Sequence, residues 1–220
     1  MTTLRSYPSN ELRNVALVGH GGSGKTTLAD SILWCGKVTQ RPGRVDDDSS
    51  TFDFEPEEHK RKSSLSAAVG HLEWRKVKVN LIDTSGNGNF LVDTRLALDV
   101  ADAAVMVVSA PDGVQVYTER TWQMLDEEQL PRCVLLSKMD RERADFDAVL
   151  AEVRESLSDK CTPIHLPIGA AEKFEGLVDL LAMKAVRFDA DGREVKVSDI
   201  PAELAEAARS AREKLEEAVA

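Results

Sequence analysis

The sequence predicts an α/β fold: a mostly parallel sheet as the middle of three layers, with helices on both its faces. Three observations carry that prediction. Short apolar runs at Val15–Val18, Ala103–Val108 and Cys133–Leu136 have the unbroken hydrophobicity of strands covered on both sides. Segments with helical spacing, Phe90–Val100, Val116–Leu130 and Ala144–Leu157, alternate with them. Finally, Gly19-His20-Gly21-Gly22-Ser23-Gly24-Lys25-Thr26 fits G-x-x-x-x-G-K-[ST] and lies between the first run and a helix-like stretch from Thr27 to Trp34. Strand, glycine loop and helix in that order are the context that a phosphate-binding loop requires.

The residue types explain the loop. Glycines let backbone N–H groups turn inward around a phosphate with no Cβ in the way. The helix N-terminus beyond, at Thr27, adds partial positive charge. Lys25 brings a point charge to the β- and γ-phosphates, and the Thr26 hydroxyl is a ligand for Mg²⁺. A plain glycine-rich turn is the alternative, and the flanking strand and helix weigh against it.

Taken in order, residues 1–12 read as a disordered lead-in and Arg13–Val18 as the first strand. The helix after the loop is expected to stop near Gly36. Residues 37–64 turn polar, with Pro42-Gly43 and the acidic run Asp46-Asp47-Asp48, and are expected to form a mobile loop. Two strands follow, Leu65–Trp74 and Val77–Ile82, with a tight turn at Arg75-Lys76. Pro131 is expected to stop the helix that begins at Val116, and a short strand is expected at Pro163–Leu166. The tail from Gly176 carries an apolar run to Phe188, a hairpin turn at Asp191-Gly192 and a second strand at Glu194–Val197. Pro201 then sits at a plausible first helical position, and the last helix runs to the terminus without a stop signal, as expected of a chain cut short or a natural fragment.

Composition narrows the class. The chain has 220 residues, 42% of them hydrophobic and 30% charged, which is ordinary for one large globular domain or one domain with a smaller companion. A net charge of −10 argues against bulk coating of nucleic acid, and no sequence-specific nucleic-acid contact is expected. The basic runs His59-Lys60-Arg61-Lys62 and Arg75-Lys76 with Lys78 read as solvated charge before they read as a binding face. Cys35, Cys133 and Cys161 are widely separated and in no metal-ligand spacing, so they are expected to be reduced and buried. With neither a signal core nor a membrane-length apolar run, the expectation is a monomeric, soluble cytoplasmic protein without membrane contact.

Two further motifs select the nucleotide. In Asp83-Thr84-Ser85-Gly86, an Asp ending a buried strand is placed to hold Mg²⁺ through water, and Gly86 offers a backbone N–H to a γ-phosphate. Alone, that Asp reads equally well as a turn residue or cap. In Ser137-Lys138-Met139-Asp140, directly after the strand Cys133–Leu136, a carboxylate can accept from guanine N1–H and its exocyclic amine. Adenine lacks that donor pair. The Lys138 stem is suited to pack on the base. GTP or GDP with Mg²⁺ is therefore the expected ligand.

With these motifs in place, the chain resembles the N-terminal G domain of translational GTPases of the elongation factor G and elongation-factor-G-like type. Further residues carry the resemblance: Val114-Gln115, Arg141, Ala144-Asp145-Phe146, Leu166-Pro167-Ile168-Gly169, Gly176–Leu180 and Ile200–Leu204. The last three stretches resemble the start of the subdomain that elongation factor G inserts into its G domain. The resemblance implies a G domain core at 13–160, with switch segments at 37–64 and 83–100, and a truncated insert-type α+β subdomain at 161–220. It also implies GTP hydrolysis coupled to a step of protein biosynthesis on the ribosome.

Departures from the family pattern bear on mechanism. The family's Asp-Thr-Pro-Gly-His reads Asp83-Thr84-Ser85-Gly86-Asn87 here, so Asn87 stands as a weak substitute where the family has a catalytic His, with Lys25 and Gly86 as the other expected catalytic residues. Slow hydrolysis with nucleotide binding retained is expected; the alternative is a nucleotide-binding ribosome-docking regulator with little or no turnover. Ser64 aligns with the Mg²⁺-binding Thr of the first switch. Ser137 replaces an Asn that ties the base-binding loop to the phosphate loop, and Gly22 stands where the family often has Asp. The last guanine contact lies either at Gly169-Ala170 or beyond residue 220.

Overall fold

The computed structural model describes residues 6–189 and 194–220, so the expected hairpin turn at Asp191-Gly192 lies outside the described residues. The chain divides into two compact units, 1–137 and 138–220.

The first unit is built on five strands: β1 (Leu12–Val18), β2 (Ala68–Trp74), β3 (Val77–Asp83), β4 (Ala103–Ser109) and β5 (Arg132–Ser137), in the order β2-β3-β1-β4-β5. β1 runs parallel to β3 and β4, and β4 to β5; only β2 is antiparallel, to β3. Ala16, Leu17 and Val18 are all fully buried. Successive side chains of a strand point to opposite faces, so burial of all three requires cover on both sides of the sheet. On one face Leu17 and Leu81 pack with Ala29 and Leu33 of helix α1 (Lys25–Cys35). Helices α2 (Pro56–Arg61), α3 (Leu91–Leu98) and α4 (Val116–Glu127) complete the unit. The register pairs Leu17 with Asp83 and Ser109 with Ser137, so the carboxyl ends of the parallel strands share one edge. In open α/β sheets, ligand sites form outside that edge.

Several elements differ from expectation for identifiable reasons. The lead-in holds a 3₁₀ turn at Ser9–Glu11. Residues 65–67 stay outside β2, which begins at Ala68. Arg75 and Lys76 do form the two-residue hairpin turn, with φ of 48° and 71°. Residues 37–64 are a structured segment, with Phe52 buried in the α1 core and α2 following it. Its charges pair internally: Asp48 meets His59 at 3.2 Å and Lys62 at 2.6 Å. Helix α4 stops before Leu130 because Gln129 takes a left-handed turn (φ 52°), which lets the Leu130 N–H reach back to Leu125 O at 3.0 Å. The cysteines are free but not buried: Cys35 and Cys133 are exposed and Cys161 is half-buried. Cys35 ends α1, and Cys133 lies on the edge strand β5.

The second unit begins at Lys138. Helix α5 (Phe146–Ser156) is capped by the Asp145 carboxylate, which accepts the Ala148 N–H at 3.0 Å. Strands β6 (His165–Ile168), β7 (Gly176–Asp179), β8 (Lys184–Phe188) and β9 (Val195–Ser198) form a separate antiparallel sheet in sequence order. Ile168, Val178, Leu180 and Ala185 from that unit bury Ala208 and Leu215 of helix α6 (Ala205–Val219). A second antiparallel sheet with one covering helix fits the start of an α+β insert subdomain. Among the described residues, no helix is long and apolar enough to cross a membrane.

Candidate functional site

The loop Gly19–Gly24 leaves the carboxyl end of β1 and enters α1 at Lys25. Gly24 is the residue before the helix and has φ of 95°, a conformation costly for a residue with a Cβ. Ser23 is fully buried, Lys25 and Thr26 nearly so, while Thr27 is exposed on the first turn. The Lys25 ammonium donates to Gly19 O at 2.9 Å and His20 O at 3.0 Å, which aims it across the mouth of the loop. Burial lowers its pKa to about 8, and the nearby Asp83 carboxylate offsets part of that shift. An anion at the loop would stabilise the charged form of Lys25.

Asp83, the last residue of β3, accepts from Thr26 Oγ1 through Oδ2 at 2.6 Å. Ser64 Oγ donates to Asp53 Oδ1 at 2.7 Å and lies 3.0 Å from Thr26 Oγ1. Each hydroxyl has one proton, and in this arrangement both protons go to carboxylates. Two hydroxyl oxygens then face each other through their lone pairs. Asp83 Oδ1 is buried beside them with no hydrogen bond to any described residue. Burial is the main force raising the Asp83 pKa to about 7, against the Thr26 hydrogen bond and Lys25. Hard oxygens converging with an unpaired carboxylate oxygen fit a hard divalent cation such as Mg²⁺.

The segment presenting Ser64 is held by a residue that no motif announces. Glu58, fully buried, accepts four backbone N–H groups. Its Oε2 takes Phe54 at 3.1 Å and Glu55 at 3.0 Å, and its Oε1 takes Leu65 at 2.8 Å and Ser66 at 3.2 Å. These bonds outweigh desolvation and keep its carboxyl below the usual range. One side chain therefore staples both ends of the α2 excursion together, directly beside Ser64. Asp53 is likewise unannounced. The available signal is Phe52-Asp53-Phe54, an aromatic pair inside a stretch otherwise polar.

Beyond β3, Thr84 bonds Leu17 O through its N–H at 3.3 Å and its hydroxyl at 2.8 Å. Ser85 is fully buried, and its hydroxyl donates to Ser64 O at 2.8 Å, joining the two expected switch segments. A Cβ on Gly86 would lie 2.4 Å from Gly21 N, so only glycine lets this peptide approach the phosphate loop. Asn87 is exposed, and its Oδ1 accepts the Asn89 N–H at 3.0 Å, capping the 3₁₀ turn Gly88–Phe90. Ser137, ending β5, donates its hydroxyl to Ser23 O at 2.6 Å and so ties β5 to the phosphate loop.

Lys138, Met139 and Asp140 open the second unit. Lys138 is left-handed (φ 57°), Met139 is buried, and its carbonyl accepts the Ala171 N–H at 3.0 Å. The Asp140 carboxylate is exposed, with a loose 3.7 Å pair to Arg141. Gly169-Ala170 follows β6, which pairs with β7 in the antiparallel sheet of that unit.

Fold and loop together define a P-loop nucleotide-binding domain, and relatives narrow that class. Residues 10–213 match the family model of the elongation factor Tu GTP binding domain. An elongation factor G-like protein of Thermotoga maritima is 43% identical over 191 residues, which is 86% of this chain and 27% of that protein. A crystal structure from Thermus thermophilus matches with a TM-score of 0.88 at 38% identity, covering 93% of this chain and 30% of that one. The chain thus belongs to the elongation factor Tu GTP-binding domain family, as a translational GTPase G domain of the elongation factor G-like kind. It spans less than a third of the length of either relative.

Proposed function

We propose that this chain binds GTP and GDP with Mg²⁺ as the G domain of a cytoplasmic, ribosome-associated elongation factor G-like GTPase. GTP hydrolysis is then coupled to a step of translation. The observation that carries this reading is the convergence of Thr26, Ser64 and Asp83 at the end of the phosphate loop, with one Asp83 oxygen unpaired. In this reading Gly19–Thr27 wraps the phosphates, Lys25 neutralises the β- and γ-oxygens, and the Gly86 N–H meets the γ-phosphate. Thr26 and Ser64, with Asp83 through water, would hold Mg²⁺, and Thr84 and Ser85 shape the switch. Bound Mg²⁺ offsets the charge that builds on the phosphate oxygens. Ser137 braces the loop, and Lys138, Met139 and Asp140 select guanine.

Competition tests the reading. With Mg²⁺ present, GDP displaces a fluorescent GDP from the protein while ADP fails at a roughly hundredfold higher concentration. Equal displacement by ADP would sink the guanine assignment.

One observation favours a second reading, a ribosome-docking regulator with little turnover. Asn87 carries no ionisable group, and its carboxamide oxygen is committed to a local cap. Single-turnover hydrolysis on ribosomes separates the two. A wild-type rate at background that rises on Asn87→His supports the regulator, and a brisk wild-type rate that does not rise supports the enzyme.

A further inference from the structure

The carbonyl of Ser85 is gripped from the side of α3 and α4. Tyr117, on the first turn of α4, donates its phenol hydroxyl to Ser85 O at 2.8 Å. Thr94, fully buried on α3, places its hydroxyl 2.9 Å from the Tyr117 oxygen and 3.4 Å from Ser85 O. Proton counting orders the chain: with the phenol proton spent on Ser85 O, the Thr94 hydroxyl is left to donate to Tyr117. Such a relay polarises each donor in turn.

Ser85 O belongs to the same rigid peptide unit as the Gly86 N–H, and in a trans peptide the two point to opposite sides. Fixing the carbonyl toward α3 and α4 therefore fixes the N–H away from them. Gly86 itself abuts the phosphate loop, where an added Cβ would sit 2.4 Å from Gly21 N and 2.6 Å from Gly21 Cα. Without the two hydroxyls, the Ser85–Gly86 peptide is free to rotate about its flanking ψ and φ angles, and a glycine on one side makes that rotation easy.

We propose that Tyr117, backed by Thr94, is a positioning residue for γ-phosphate recognition: it holds the Ser85–Gly86 peptide plane so that the Gly86 amide is presented to the third phosphate. The inference rests on the reading of Gly86 as the γ-phosphate contact. The Ser85 hydroxyl, through its 2.8 Å bond to Ser64 O, extends the same fixed peptide to the Ser64 segment. A γ-phosphate at Gly86 and a metal at Ser64 are thereby tied to one residue, with helices α3 and α4 as the frame.

The test is a ratio. A non-hydrolysable GTP analogue and GDP are titrated, with Mg²⁺, into wild-type protein, Tyr117→Phe, Thr94→Val and the double variant. Thermal melts confirm that each is folded. Loss of a hydrogen bond of ordinary strength predicts that Tyr117→Phe weakens the GTP analogue about tenfold while GDP changes by less than about twofold. Thr94→Val moves the ratio in the same direction by less. The double variant resembles Tyr117→Phe, because both hydroxyls act on one carbonyl. If wild type holds both nucleotides and Tyr117→Phe leaves them unchanged, or weakens them equally, this inference is overturned alone. If wild type holds neither, the site reading falls with it. Should Tyr117→Phe not fold, the Thr94→Val ratio decides.

Discussion

The phosphate loop and the segment from Asp53 to Ser66 border the same cluster of oxygens, yet they are built by opposite means. The loop is local: its consecutive residues dictate its path, and Ser137 reaching Ser23 O ties it to a distant strand. The 53–66 segment is held by one side chain acting on backbone groups three to eight residues away, with further anchors on other elements. Glu58 closes it on itself, Phe52 sinks into the α1 core, and Ser64 reaches Thr26 at 3.0 Å. A motif can record the first kind of structure. The second kind depends on one buried carboxylate whose partners are backbone groups of any residue type, and such partners leave no sequence signature.

The sharpest way to break this contrast is Glu58→Gln. It keeps the shape but turns an acceptor of two N–H groups into a donor facing them, with the other oxygen uncharged. Leaving buried N–H groups unsatisfied and losing charge-assisted bonds predicts a loss of about 3 kcal/mol, read by denaturant unfolding. A loss below about 0.5 kcal/mol, the size of an ordinary surface substitution, would show that the segment is held by something else. Because the phosphate loop is independent of Glu58, the α1 amides should keep their hydrogen-exchange protection in mild denaturant while those of 53–66 lose theirs.

The same contrast explains what can be read from the sequence. Strands β1, β4 and β5 and the loop at Gly19–Thr26 are legible because apolar runs and a spaced motif are local features. Asp83 and Ser137 are legible because each ends such a run. Asp53, Glu58, Thr94 and Tyr117 are not: their roles arise from contacts to Ser64, Leu65 and Ser85 that only the folded chain creates. The cysteines mislead because residue type alone suggests burial, whereas Cys35 and Cys133 sit at a helix end and on an edge strand. The polar stretch 37–64 reads as a mobile loop because its anchors are few. Phe52 and Glu58 are two residues among many charged ones, yet they decide its shape. Asp48 illustrates the same blindness on a smaller scale. Its acidic run and the basic run at His59–Lys62 read as separate features, and the fold pairs them.

Asp83, with Thr26 and Ser64, is proposed to hold a divalent cation beside the phosphate loop. The most direct test of this role is the Mg²⁺ affinity of the GDP-bound protein as a function of pH, corrected for the titration of the nucleotide itself. Burial raises the Asp83 pKa to about 7 in the metal-free fold, so below that pH a proton must leave before the carboxylate can serve the metal. The expected affinity is flat above about pH 7 and falls toward roughly tenfold per unit below it, with the slope lost in Asp83→Asn. A pH-independent affinity from about 5.5 to about 8.5 in the wild-type protein, or a slope that survives in Asp83→Asn, would contradict it.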